Sequence, residues 1–132
     1  MPVNKEPYQR SRHAVHAVKY HFVWCLKRRA KVLKNEIANR LEQVLFDVAD
    51  EHDWEIGSLA IRPDHVHLFV QADTRHAPYQ VIHRFKGESA HVLRKEFDQL
   101  RRLPSRWTRS YLVSATGKVS EEIIGRYSED QS

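Results

Sequence analysis

Apolar positions change their period several times along this chain, and each change marks an expected element. From His16 to Leu26 they alternate, with Val18, Tyr20, Phe22 and Trp24 on one face, which predicts a strand. From Asn35 to about His52 they recur at helical spacing through Ile37, Leu41, Val44, Leu45 and Val48, with Asn35 as the expected N-cap. Trp54 to Ile61 and His65 to Gln71 return to strand patterning, joined by the tight turn Arg62-Pro63-Asp64. Pro78 suits the opening of a second helix carrying Val81, Ile82, Phe85, Val92, Leu93 and Phe97. Gly87 lies inside that helix against its propensity, so a close backbone approach is expected there. A basic loop from Arg101 to Arg109, broken by Pro104, leads to a fourth strand from Tyr111 to Thr116. After a turn at Gly117, Ser120 caps a last short helix with Glu121 and Glu122 in its first turn.

The order β-α-β-β-α-β with an appended helix predicts an α+β fold of the ferredoxin-like or RRM-like kind. In that arrangement two helices cover one face of an antiparallel sheet and the other face is open for a ligand. No repeat, low-complexity segment or long linker divides the 132 residues, which predicts a single domain over 1–132. Residues 1–12 are expected to form a flexible basic arm, and 120–131 the C-terminal helix. No apolar run reaches membrane-spanning length and no signal-peptide profile is present, so no membrane association is expected. The single cysteine, Cys25, sits in the apolar run Phe22-Val23-Trp24-Cys25-Leu26 and is expected to be buried and inert. Without a partner for a disulfide or a zinc framework, it fits a reducing, cytoplasmic setting.

Charge adds a partner class. Lysine and arginine outnumber aspartate and glutamate by 22 to 17, for a net charge of +5 and a pI near 9.5. The excess is clustered. One block is Lys27, Arg28, Arg29, Lys31 and Lys34; another is Arg94, Lys95, Arg101, Arg102, Arg106 and Arg109, interleaved with Trp107 and Tyr111. Cations beside aromatic rings suit a polyanion whose bases stack, such as single-stranded nucleic acid, and a merely solvated charged face is an equal alternative until the other motifs are weighed.

The chemistry is concentrated at His65-Val66-His67. Side chains two apart on a strand share a face, so both imidazoles project together from one rigid element, and such a pair can hold a divalent cation. Taken alone, the triplet serves satisfied surface or core histidines more often than metal ligands. A second feature lies in the last helix, where Tyr127 and Gln131 are i and i+4 on one helical face, with Ile123 a turn earlier as an anchor. A phenol with a pKa of about 10 is a poor nucleophile at neutral pH. A cation that polarises a scissile phosphate offsets that weakness. Two imidazoles, an amide oxygen and a tyrosine form the small set this chemistry needs.

In these motifs the chain closely resembles the single-tyrosine HUH-type transposases (TnpA) of small insertion sequences that move as single-stranded DNA. The resemblance runs from Tyr20-His21-Phe22-Val23-Trp24 to Gln131. It passes through Arg62-Pro63-Asp64-His65-Val66-His67-Leu68, Phe85-Lys86-Gly87-Glu88-Ser89-Ala90, Trp107-Thr108-Arg109-Ser110-Tyr111 and Ile124-Gly125-Arg126-Tyr127. It implies that His65 and His67 are metal ligands, Gln131 a third ligand and Tyr127 the nucleophile. It implies Mg²⁺ or Mn²⁺ as cofactor, whereas ligand softness alone suits two imidazoles to Mn²⁺ or Zn²⁺. It further implies recognition of single-stranded DNA hairpins near element ends and a 5′-phosphotyrosine intermediate with a free 3′-OH. The implied assembly is a homodimer whose composite sites take histidines from one subunit and tyrosine from the other. Arg28, Arg29, Lys86, Arg101, Arg102 and Arg109 are the expected DNA-binding residues, acting on chromosomal DNA in a prokaryotic cytoplasm.

Three other readings stay open at this level. A domesticated relative would process chromosomal palindromes with the same chemistry. A non-catalytic single-strand nucleic-acid-binding module would use the sheet face alone. A metal-dependent hydrolase would use water and tolerate the loss of Tyr127.

Overall fold

The structure is a computed structural model, and it describes residues 17–101, 107–108 and 111–114. Strand β1 spans Ala17–Cys25, helix α1 Asn35–Glu51, β2 Glu55–Arg62 and β3 His65–Asp73. Helix α2 spans Pro78–Glu96, the short helix α3 Asp98–Arg101 and β4 Leu112–Ser114. The sheet order is β2-β3-β1-β4 and every neighbouring pair is antiparallel. This is the ferredoxin-like arrangement expected from the element order. The fourth strand is seen over Leu112–Ser114, and the expected last helix and N-terminal arm lie outside the described residues.

The alternation of β1 and β3 decides which face the helices cover. Tyr20, Phe22 and Trp24 from β1 and Val66, Leu68, Val70 and Ala72 from β3 are buried on the helix side. Against them pack Ile37, Leu41, Val44, Leu45 and Val48 of α1, and Val81, Ile82, Phe85 and Leu93 of α2. Val18, Val92 and Phe97, expected in the core, lie at its margin and are only partly buried. An Arg40–Glu96 pair, with Nε and Nη2 donating to the two carboxylate oxygens at 2.8 and 2.9 Å, joins α1 to the end of α2 on the surface. Among the described residues, no helix is long and apolar enough to cross a membrane.

Helix entries follow the sequence at α2 and depart from it at α1. Pro78 opens α2, and the Gln80 side chain accepts from the Ala77 backbone N–H at 2.7 Å, satisfying one of the donors a helix start leaves over. At α1 the N-cap position is Lys34, whose side chain makes no cap, while Asn35 adopts left-handed backbone with φ 54°. Asparagine tolerates that region better than most residues, so it serves the turn into the helix instead of capping it.

Gly87 departs from expectation as well. A Cβ built there meets nothing within 4 Å, so no close backbone approach explains it. Alanine fits the site and loses less backbone entropy on folding. Gly87→Ala is therefore expected to stabilise the fold by about 0.5–1 kcal/mol, read as a higher Tm in thermal unfolding. A lower Tm would reveal a packing demand at this position.

At the far end of β3 a second polar cluster fixes the turn into α2. Asp73 accepts from Trp54 Nε1 at 3.2 Å and from the Arg75 backbone N–H at 2.9 Å, and its other close partner is His76 Nδ1 at 2.8 Å. Burial pushes the Asp73 carboxyl up, but the bonds from His76, Trp54 and Arg75 outweigh it and bring the group down to about 2. Trp54 in turn stacks on His52 at 4.5 Å. This cluster lies at the opposite end of β3 from His65, so it braces the scaffold without entering the histidine site.

Candidate active site

β3 presents its two faces with strict alternation. Val66, Leu68, Val70 and Ala72 point into the core, and His65, His67, Phe69 and Gln71 share the other face, half-buried. The ring centroids of His65 and His67 are 5.1 Å apart with planes inclined by 49°. Pairing with β1 then adds a third imidazole. His21 lies opposite Phe69, and its ring is 5.8 Å from that of His67 and edge-on to Phe69 at 6.1 Å. Local patterning places His21 on this face of β1, but only the strand register brings it beside His67. Phe69 itself lies across Gly57, where a Cβ would come within 2.7 Å of its ring, next to the irregularity in β2 between Ile56 and Ser58.

The start of β3 is rigidly held. The Pro63 carbonyl accepts from Leu33 N–H at 2.9 Å, and the Asp64 carbonyl accepts from Leu26 N–H at 2.9 Å. The segment between those two donors includes the turn Lys27–Arg29, in which Arg28 and Arg29 both have positive φ, 58° and 52°. Non-glycine residues in that region cost of order 1–3 kcal/mol each and persist where surrounding contacts over-determine them. One such contact is visible: Arg29 Nε donates to Asp64 Oδ2 at 3.3 Å.

Asp64 is the site residue that sequence reasoning passed over, because a Pro-Asp pair reads as turn chemistry. It is 6% exposed, and its Oδ1 lies 2.7 Å from His65 Nδ1. Burial pushes its carboxyl up, but hydrogen bonds and charge from His65 and Arg29 outweigh that and hold it below the usual carboxylate range. The adjacency Asp64-His65 was the available signal, since a carboxylate beside a ligating imidazole is a recurrent way of orienting it.

The end of β1 beside His65 is closed by residues 107–108. Leu26 and Trp107 form an isolated antiparallel bridge, and Thr108 N–H donates to the Cys25 carbonyl at 3.0 Å. Trp107 Nε1 donates to the Lys86 carbonyl at 3.1 Å, and its ring meets Trp24 edge-on at 5.8 Å. Cys25, paired with His65 across the strands, is fully buried as expected.

The expected DNA-binding residues are not equivalent. Arg28 is exposed, while Arg29 is tied to Asp64. Lys86 is half-buried, and its Nζ donates to the Thr108 carbonyl at 2.7 Å. Burial lowers its ammonium to about 8 despite an opposing influence from Cys25. Arg101 is exposed and hydrogen-bonded to Asp98 within α3. Arg102, Arg109, Tyr127 and Gln131 lie outside the described residues.

Among the described residues, no three His, Cys, Asp or Glu side chains converge into a cation site. The two adjacent imidazoles offer two nitrogen donors on one face, a donor type that suits Mn²⁺ better than Mg²⁺.

Comparison with known proteins agrees with this architecture. The family model for IS200-like transposases matches residues 14–131. The ISDra2 transposase TnpA of Deinococcus radiodurans is 30% identical over 126 residues, covering 93% of this chain and 90% of that protein. A crystal structure from Deinococcus radiodurans R1, itself assigned to the transposases, superposes with a TM-score of 0.78 at 32% identity, covering 88% of this chain and 92% of that one. A REP-associated tyrosine transposase, solved bound to a REP hairpin, shares the fold with a TM-score of 0.60 at 15% identity, over 87% of this chain and 62% of that one. A match over nearly the whole chain, on a fold that brings His65 and His67 together on one sheet face, makes this protein a member of the IS200-like transposase family.

Proposed function

We propose that this transposase cleaves and rejoins single-stranded DNA at insertion-sequence ends, with Tyr127 as nucleophile and recognition of subterminal hairpins. The observation that carries the reading is the His65–His67 pair, two imidazoles 5.1 Å apart on one half-buried sheet face in a chain of this family. The hairpin-bound structure of a tyrosine transposase with the same fold supports the substrate.

In this reading His65, His67 and Gln131 hold Mg²⁺ or Mn²⁺. When bound, the cation polarises the scissile phosphate and offsets the charge that develops during in-line displacement. The chain's own residues do the rest. The Tyr127 oxygen forms a bond to phosphorus, the bond from phosphorus to the 3′ oxygen breaks, the phenolic proton is released and the 3′ oxygen takes one up. The products are a 5′-phosphotyrosine and a free 3′-OH. Because the phosphoester is conserved, rejoining runs by the reverse displacement and needs no external energy source. Exposed cations, Arg28 and Arg101 among them, attract the strand, and Arg102 and Arg109 are assigned the same role from the sequence. Arg29 and Lys86 support it from within, given their ties to Asp64 and Thr108. The active unit is a homodimer in which each site takes His65 and His67 from one subunit and Tyr127 and Gln131 from the other.

The test is incubation with labelled single-stranded DNA carrying a hairpin and its flank, with and without Mg²⁺, followed by a denaturing gel. A metal-dependent covalent protein–DNA adduct is expected. Cleavage without an adduct would support the water-using hydrolase, and binding without cleavage the non-catalytic module.

A further inference from the structure

The carboxylate behind the histidine pair has a role that the reading above leaves unassigned. Asp64 Oδ1 is 2.7 Å from His65 Nδ1, a charge-assisted hydrogen-bond length, and Asp64 Oδ2 accepts from Arg29 Nε at 3.3 Å. An ionised carboxylate only accepts, so the proton between Asp64 and His65 belongs to Nδ1. In a neutral imidazole the remaining lone pair is then on Nε2. Asp64 is 6% exposed, so little water competes for the carboxylate oxygen that faces Nδ1.

We propose that Asp64 is a positioning residue that fixes His65 as the Nδ1–H tautomer with Nε2 presented to the cation, and that Arg29 clamps Asp64 in place. This rests on the reading of His65 as a metal ligand. It also gives the strained turn a purpose, since the left-handed Arg28–Arg29 backbone delivers the Arg29 guanidinium to Asp64 instead of leaving it to a DNA phosphate. A turn-bracing aspartate would need only its backbone carbonyl. The side-chain bond to His65 is the additional feature.

The experiment uses ¹⁵N-labelled, metal-free protein, with the tautomer of His65 read from its imidazole nitrogen shifts, and Mn²⁺ affinity read by calorimetry. Wild-type protein is expected to show His65 as Nδ1–H; an Nε2–H tautomer there would overturn the proposal without any variant. Asp64→Asn keeps the shape but offers an amide N–H to the ring, so it should admit the Nε2–H tautomer and weaken Mn²⁺ binding roughly 10- to 100-fold. Unchanged tautomer and Mn²⁺ affinity in Asp64→Asn would overturn it. Arg29→Ala should weaken Mn²⁺ binding to a smaller extent while leaving the salt dependence of hairpin affinity unchanged. The reverse pattern, a salt slope reduced by about one with Mn²⁺ affinity intact, would return Arg29 to the DNA surface and overturn the clamp. His65→Ala provides the control for the underlying reading. If it leaves Mn²⁺ affinity unmoved, the metal-site reading itself fails, and this is distinct from a failure confined to Asp64→Asn.

Discussion

Tyr127→Phe is expected to abolish strand cleavage and the covalent adduct while leaving hairpin affinity within about twofold of wild type, since the loss of a single oxygen with the ring kept is a small change. The substitution removes one oxygen and keeps the ring, so the change is confined to the atom proposed as the nucleophile. Removing a nucleophile commonly lowers turnover by about 10⁴-fold or more. Cleavage and binding are measured on the same labelled hairpin substrate, by denaturing gel and by mobility shift. Undiminished cleavage by Tyr127→Phe would end the tyrosine mechanism and favour water as nucleophile.

The second large effect is expected at the histidine pair. His65→Ala/His67→Ala should eliminate Mg²⁺-dependent cleavage with the fold retained, because both rings lie on the sheet face away from the helices; loss of the Asp64–His65 hydrogen bond is expected to cost about 1–3 kcal/mol. Deleting both leaves no imidazole ligand on β3, and the opposite face of the strand, Val66, Leu68 and Val70, is untouched. This variant also tests where the tyrosine acts. Mixed with a Tyr127→Phe chain, it is expected to form heterodimers in which a trans arrangement restores one complete site, the histidines coming from one chain and the tyrosine from the other. A cis arrangement restores none, since each chain lacks one half. Recovery of part of the cleavage activity in verified heterodimers is the expected result, and no recovery would sink the composite-site assembly.

Local sequence by itself determined the first three strands, the two long helices and the facing of the histidines. Period-two alternation in β3 puts His65 and His67 on one face because successive side chains on a strand point oppositely, whatever that strand later pairs with. Helical spacing in α1 and α2 selected the residues that meet the sheet, for the same local reason. Tyr127 and Gln131 came from motif and resemblance, with only their shared helical face readable from spacing. What required the tertiary structure was every relation between distant segments. The antiparallel register that sets Cys25 against His65 also brings His21 to His67, a consequence of pairing two strands separated by a whole helix and a further strand. Arg29 reaches Asp64 across 35 positions, and Lys86 reaches Thr108 across 22. Both cations stand in basic or polar stretches that read as surface until packing assigns them partners. Gly87 and Asn35 show the same limit in reverse, since a glycine's empty surroundings and an asparagine's left-handed backbone depend on neighbours and chain direction that residue type does not encode. Periodicity is a property of one segment, whereas a carboxylate's choice of imidazole or guanidinium is settled only when burial leaves it no water to bond instead.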